Sequence, residues 1–125
     1  WDAFSGIMAD IGNVKVLSLK EQDGETYVYL NRIVSTVFNM YSEKTLALMS
    51  AWDPFDRDVY KNTIDRYLEG NRLSILTTCP FLAGHKEDLD STIWGKSNTA
   101  YDAMMQSSNK KLKKLAQDAK NQFGR

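Results

Sequence analysis

The sequence predicts a mainly α fold, a small bundle of three to four helices in one domain spanning residues 1–125, with residues 1–13 as an N-terminal arm. Three observations predict it. Apolar residues step by three and four through residues 33–52, an Asp-Pro pair at 53–54 marks a helix start, and residues 100–123 carry a helical seam flanked by lysines. A short β-hairpin near residues 14–30 is compatible with this bundle, and an α+β fold is the alternative.

Trp1, Phe4, Ile7, Met8 and Ile11 fall at helical spacing ahead of Gly12-Asn13, so residues 1–13 read as a short helical arm that docks. Residues 14–32 admit two readings. As strands they form a hairpin around the two-residue turn Asp23-Gly24. That register sets Leu19 opposite Val28 and Leu17 opposite Leu30, with Ser18, Lys20, Tyr27 and Tyr29 on the other face. As a helix, Tyr27, Leu30, Val34, Val37 and Tyr41 make one continuous stripe. The balance favours an extended segment before the turn and a helix soon after it.

From Ile33 the stripe runs through Val34, Val37, Tyr41, Leu48 and Trp52, widened by Phe38 and Met49, as a buried helix face does. Asp53 suits an N-cap, Pro54 the first helical position, and Asp56 and Asp58 the first turn, where the helix dipole favours acids. This helix buries Phe55, Val59, Ile64, Tyr67 and Leu68 and stops at Gly70-Asn71. Residues 72–79 suit a strand or a helical turn, ended by Pro80. As a strand they would pair with the 14–30 region and make the fold α+β. Residues 81–96 read as a loop or short helix, and Thr99 with Asp102 resembles a capping box that opens the last helix.

Hydrophobic residues make up 42% of the chain and charged residues 26%, ordinary globular values that argue against wholesale disorder. No apolar run reaches the ~18 residues of a membrane span. The stretch 27–41 is interrupted by Asn31, Arg32, Ser35, Thr36 and Asn39. The chain opens on Trp1 rather than Met, a lean toward a processed, exported protein. Cys79 is the only cysteine and His85 the only histidine. One cysteine excludes an intramolecular disulfide, and two candidate ligands fall short of the four that structural zinc takes.

The formal charge of zero hides a dipole. The last seventeen residues hold six basic side chains and one acidic, or +5, while residues 1–95 hold nine basic and fourteen acidic, or −5. Tyr101, Met105, Ser108, Leu112, Leu115 and Ala119 form a narrow seam, and a helix over residues 100–123 would be ~36 Å long at 1.5 Å per residue. Its lysine-rich end is expected to overhang the core. Lysines near a helix C-terminus also complement the dipole and aid solubility, so a solvated face and a recognition role carry comparable weight.

Catalytic sets are sparse. His85-Lys86-Glu87 echoes the H-x-E of zinc deaminases without the paired cysteines. Residues 88–99 start like an EF-hand loop, but Ile93 stands where glycine is needed and Thr99 where a bidentate acid is needed. A Cys79–His85 pair has only sequence proximity behind it. Helix capping accounts for Asp53, Asp56 and Asp58, and loop solvation for Glu87, Asp88 and Asp90. There is no G-x-S-x-G elbow, Walker A loop or G-x-G-x-x-G.

The expected function is that of a small non-enzymatic helical module, with no cofactor and no metal, that docks a protein partner as an adaptor, accessory or immunity-type protein. Its expected contact residues are Lys110, Lys111, Lys113, Lys114 and Lys120 on the last helix, and Trp94 as an interface anchor in a loop. The alternative is binding of an anionic polymer or membrane surface by the same lysines. Nucleic acid is disfavoured by the acidic body and by the lack of aromatics among the lysines. A third reading is a hydrolase or transferase using His85 with nearby carboxylates. Partner identity, oligomeric state and compartment are not written in these residues.

Overall fold

The computed structural model describes residues 1–34, 37–58, 60, 62–84 and 99–123. Its elements run β1 (Ala3–Ile7), β2 (Val16–Gln22), β3 (Glu25–Leu30), β4 (Phe38–Tyr41), α1 (Glu43–Ser50), α2 (Ile64–Gly70), β5 (Ile75–Cys79) and α3 (Thr99–Phe123). The strands form one mixed sheet in the order β2-β3-β5-β1-β4. The mainly α helical bundle is thereby corrected: the fold is α+β, the alternative reading.

The hairpin is the element read most closely from sequence. Asp23 and Gly24 take φ of 54° and 82°, the left-handed pair that a two-residue hairpin turn requires. Gln22 faces Glu25 and Leu19 faces Val28, as the alternation demands. One pairing differs. The register shifts between Val16 and Ser18, so Leu30 faces Val16, and Leu17 is left half-exposed instead of opposing Leu30. Asn31 closes the open end: its amide donates to the Lys15 carbonyl at 3.1 Å, and its side-chain oxygen accepts from the Lys15 amide at 2.7 Å.

β5 pairs antiparallel with β3 from Thr26↔Cys79 to Leu30↔Ile75. β1 lies parallel to β5 and antiparallel to β4. Residues 3–7 are therefore an inner strand, not a helical turn, and Met8, Ile11 and Val14 follow it into the core. Alternate residues of the strands face the helical side of the sheet, where α3 lies against β2 and β5 and α1 against β4. On this inner face Ala3, Val28, Leu30 and Ile75 form one core with Leu112 and Ala116 of α3 and Leu68 of α2. Tyr41, Leu48, Met49, Ile64 and Tyr67 pack around its margin.

Two predicted helices are shorter than the periodicity implied. Residues 38–41 are extended, and α1 begins only at Glu43, where the Ser42 hydroxyl accepts from the Thr45 amide. Val34, Val37, Phe38 and Tyr41 are types that favour extended chain, so a 3–4 spacing there mixed a strand with the helix that follows. In residues 53–63 the acids cap turns rather than one helix. The carboxylates of Asp53, Asp56 and Asp58 accept from the amides of Phe55, Asp58 and Tyr60, each two residues on. Such local bonds compete with helical ones. Asn62 then gathers the loop, donating to the Asp53 and Asp56 carbonyls while its oxygens accept from the Trp52 indole. α2 is left with residues 64–70.

Asp2 ties the start of the chain to two other elements. Its carboxylate accepts from the Ser74 amide at 2.8 Å and from Lys44 Nζ at 2.8 Å. Its carbonyl accepts from the Ser42 amide and the Thr45 hydroxyl. The Lys44 ammonium, followed by the Ser74 amide, holds the Asp2 carboxyl below the usual carboxylate range. A lowered folded pKa adds stability that is present above the unfolded carboxylate pKa and is lost as pH falls through the folded value. Asp2→Asn is expected to cost about 1 kcal/mol at pH 7, since the lysine partner is solvent-facing. Denaturation of both proteins from pH 7 down to pH 2 should show that difference shrinking below about pH 4. Leu112→Ala, which empties a fully buried site between helix and sheet, should cost about 3 kcal/mol in the same measurement.

Candidate functional site

The basic helix docks instead of overhanging. Met105, Ser108, Leu112, Ala116 and Ala119 are buried along one face, Leu115 partly so, and the helix lies against β2 and β5. Two of its predicted partner-binding lysines are bound within the chain. Lys111 Nζ sits 3.1 Å from the Asp10 carboxylate, and Lys120 pairs with Glu21 on β2. Lys111 holds the Asp10 carboxyl below its usual range. Lys110, Lys113 and Lys114 are exposed, with no ion pair to any described residue. The charge segregation is thus partly an internal complementarity. Trp94, His85 and the acids at 87, 88 and 90 lie outside the described residues.

Cys79 closes β5 on the inner face. Burial pushes its thiol up, against a smaller opposing pull from Lys113 and Lys120. A thiol held in its neutral form is a poor nucleophile at neutral pH. Among the described residues no three His, Cys, Asp or Glu side chains converge as a metal site. No helix among them is long and apolar enough to cross a membrane.

The opposite face of the sheet carries the feature that sequence reading missed. Register places Tyr29, Leu76, Phe4 and Met40 in one row across β3, β5, β1 and β4. Tyr27 and Thr78 begin the next row, which ends at Phe38. Gly6 lies between them, and it is needed there: a Cβ on it would come within 2.1 Å of the Phe38 ring. At the β3 end this face opens into a groove of about 500 Å³, walled by Phe4, Tyr27, Pro80, Phe81 and Leu82. Thr78 forms part of the wall. Its hydroxyl is buried and has no hydrogen-bond partner among the described residues, a costly state for a core position. At the other margin Phe38 is 44% and Met40 53% exposed on β4, with Val37 beside them.

The two sheet edges are built differently. β2 presents Ser18, Lys20, Glu21 and Gln22 to solvent, the charged guard that blocks strand addition. Among the described strands β4 pairs with β1 alone, and it presents apolar side chains at the sheet edge. The signal was available in the sequence as alternation through residues 38–41, but a four-residue strand is too short for periodicity to outweigh the flanking helical spacing.

A second depression lies at the far ends of β3 and β5. It measures about 700 Å³ and is lined by Arg32, Arg66, Arg72 and Glu69, with Tyr60 and Tyr67 among the remaining walls.

No family model, curated protein or solved structure matches this chain. The functional reading therefore rests on geometry and chemistry.

Alkylation of Cys79 by iodoacetamide at pH 7.5 should run about tenfold or more slower than that of a small-molecule thiol, as its raised pKa requires. Mass-spectrometric time courses check this, and a rate matching the small thiol would contradict a half-buried thiol held neutral.

Proposed function

We propose that this protein is a non-catalytic binding domain that docks an apolar segment of a protein partner against Phe38 and Met40 on β4. One observation carries the reading: a strand at the edge of the described sheet that exposes Phe38 and Met40, with Val37 beside them, in a sheet whose other edge is guarded by charge. Burial of the Phe38 and Met40 side chains would supply affinity, and pockets for the partner's apolar side chains would supply specificity. The groove beside Phe4 and Phe81 offers one such pocket, with Glu25 at its rim.

A second reading has its own observation. Lys110, Lys113 and Lys114 project from α3 without ion-pair partners among the described residues, which suits an acidic protein surface and weakens with salt. These are the members of the predicted lysine set that the body leaves unengaged.

Display selection of random peptides against the purified domain separates the two. The peptides enriched should carry apolar residues, and they should lose about tenfold or more in affinity for a Phe38→Asp, Met40→Asp variant. They should bind a Lys110→Glu, Lys113→Glu, Lys114→Glu variant unchanged. Acidic peptides that depend on the lysines would transfer the function to α3. A wild-type dimer that Met40→Asp dissociates would make the occupant a second copy of this chain. No enrichment, or binding indifferent to both variants, would overturn the proposal.

A further inference from the structure

Arg32, Arg66 and Arg72 reach one cavity from three directions: the end of β3, the middle of α2, and the turn into β5. Among the described residues of its lining Glu69 is the one acid. A single oxygen of that carboxylate, Oε2, accepts from Arg32 Nη2 at 2.7 Å and from Arg66 Nη1 at 2.9 Å. One carboxylate neutralises one of three guanidinium groups, which leaves a formal charge of +2 among the described lining residues. Arg72 has no ion-pair partner among the described residues, and Arg32 Nε is buried without an acceptor. The surrounding chain is acidic, so this positive lining is local rather than a share of a general basic surface.

The backbone at Arg72 adds a second, independent observation. α2 ends at Gly70, and Asn71 caps it with ordinary negative φ. The left-handed position falls on Arg72 at φ 49°. Glycine is the usual occupant of that position after a helix, because a Cβ there is strained. A long charged side chain stands where folding alone favours glycine, and that side chain lines the cavity. Strain kept at a ligand-facing residue is the pattern of a binding site.

We infer that this cavity is a binding site for a small phosphomonoester, with the phosphate held by Arg72 and the outward faces of Arg32 and Arg66. The guanidinium fork matches phosphate oxygens bidentately. A phosphomonoester carries about −1.5 to −2 at pH 7, which matches the unneutralised charge better than a single carboxylate does. A cavity of about 700 Å³ is within the usual range for a small-molecule ligand, so it holds more than the phosphate. Tyr60 and Tyr67 give the remaining wall an aromatic character suited to a planar organic body. The site lies at the opposite end of β3 and β5 from the groove, and it stands or falls separately from the partner-docking reading.

Titration at low salt with phenyl phosphate, inorganic phosphate and benzoate, followed by calorimetry and amide chemical shifts, tests the inference. Phenyl phosphate should saturate residues around the cavity and bind about tenfold or more tighter than benzoate. Inorganic phosphate should fall between them and displace phenyl phosphate competitively. Arg72→Gly should weaken phenyl phosphate by about tenfold or more, while its denaturation midpoint stays level or rises. Arg72→Lys, which keeps the charge without the fork, should recover part of the affinity. The inference is overturned by any of three results: no saturation by either phosphate, benzoate binding as tightly as phenyl phosphate, or phenyl phosphate affinity unchanged in a folded Arg72→Gly variant.

Discussion

Asp2 is the point on which the sheet's continuity depends. β4 touches the rest of the sheet only through β1, and β1 is aligned by what Asp2 holds. Its carboxylate fixes the approach to β5 at Ser74, and its carbonyl fixes the start of α1 at Ser42 and Thr45. One residue thus registers the first strand against both neighbours. The register in turn sets which side chains share a row on the outer face. If β1 slipped by one residue, Phe4 and Gly6 would exchange faces with Ala3 and Ser5. The apolar row from Tyr29 to Met40 would then be broken, and Ala3 would leave the core.

The separation of charge along the chain is partly spent within the molecule. α3 carries the basic excess, and it is held down by an apolar seam with Lys111 on Asp10 and Lys120 on Glu21 at two points along its length. Those pairs are solvent-exposed and worth little individually. They contribute orientation more than energy, because the buried stripe of Leu112, Ala116 and Ala119 already fixes the contact. What faces outward is a smaller cationic patch than the sequence count suggests. The more localised positive site is the three-arginine cavity, and linear charge counting hides it because Arg32, Arg66 and Arg72 are dispersed among acids.

The parts legible in sequence were those with a local physical cause. Asp23-Gly24 dictates its turn through backbone conformation, and Leu19 with Val28 then follows. The seam from Met105 to Ala119 is long enough for helical periodicity to be decisive. The 72–79 segment was correctly seen to be strand-capable, with the 14–30 region as its partner, but only tertiary pairing chooses a strand over a turn. The rest failed for stated reasons. Residues 3–7 are all buried, and full burial erases the polar-apolar alternation that marks a half-exposed strand. Asp53, Asp56 and Asp58 look like the first turn of a helix because the same side-chain geometry that caps a helix also closes a turn. The arginine cavity joins residues up to 40 positions apart, with no local motif to announce it.

The parallel pairing of β1 with β5 has a consequence in time. The residues that meet there lie 72 positions apart, as Asp2 and Ser74 do, while the β2–β3 hairpin closes over two residues. Loop-closure entropy favours the hairpin first, then β5 along β3, and only then the insertion of β1 beside β5. On a ribosome the order is more uneven still, because β1 emerges first and its parallel partner some seventy residues later. Through that interval the strand from Ala3 to Ile7 has only β4 within reach. The two strands that complete the sheet are thus the last to join it, and the apolar edge that β4 shows in the finished protein is part of the surface the chain exposes longest while it folds.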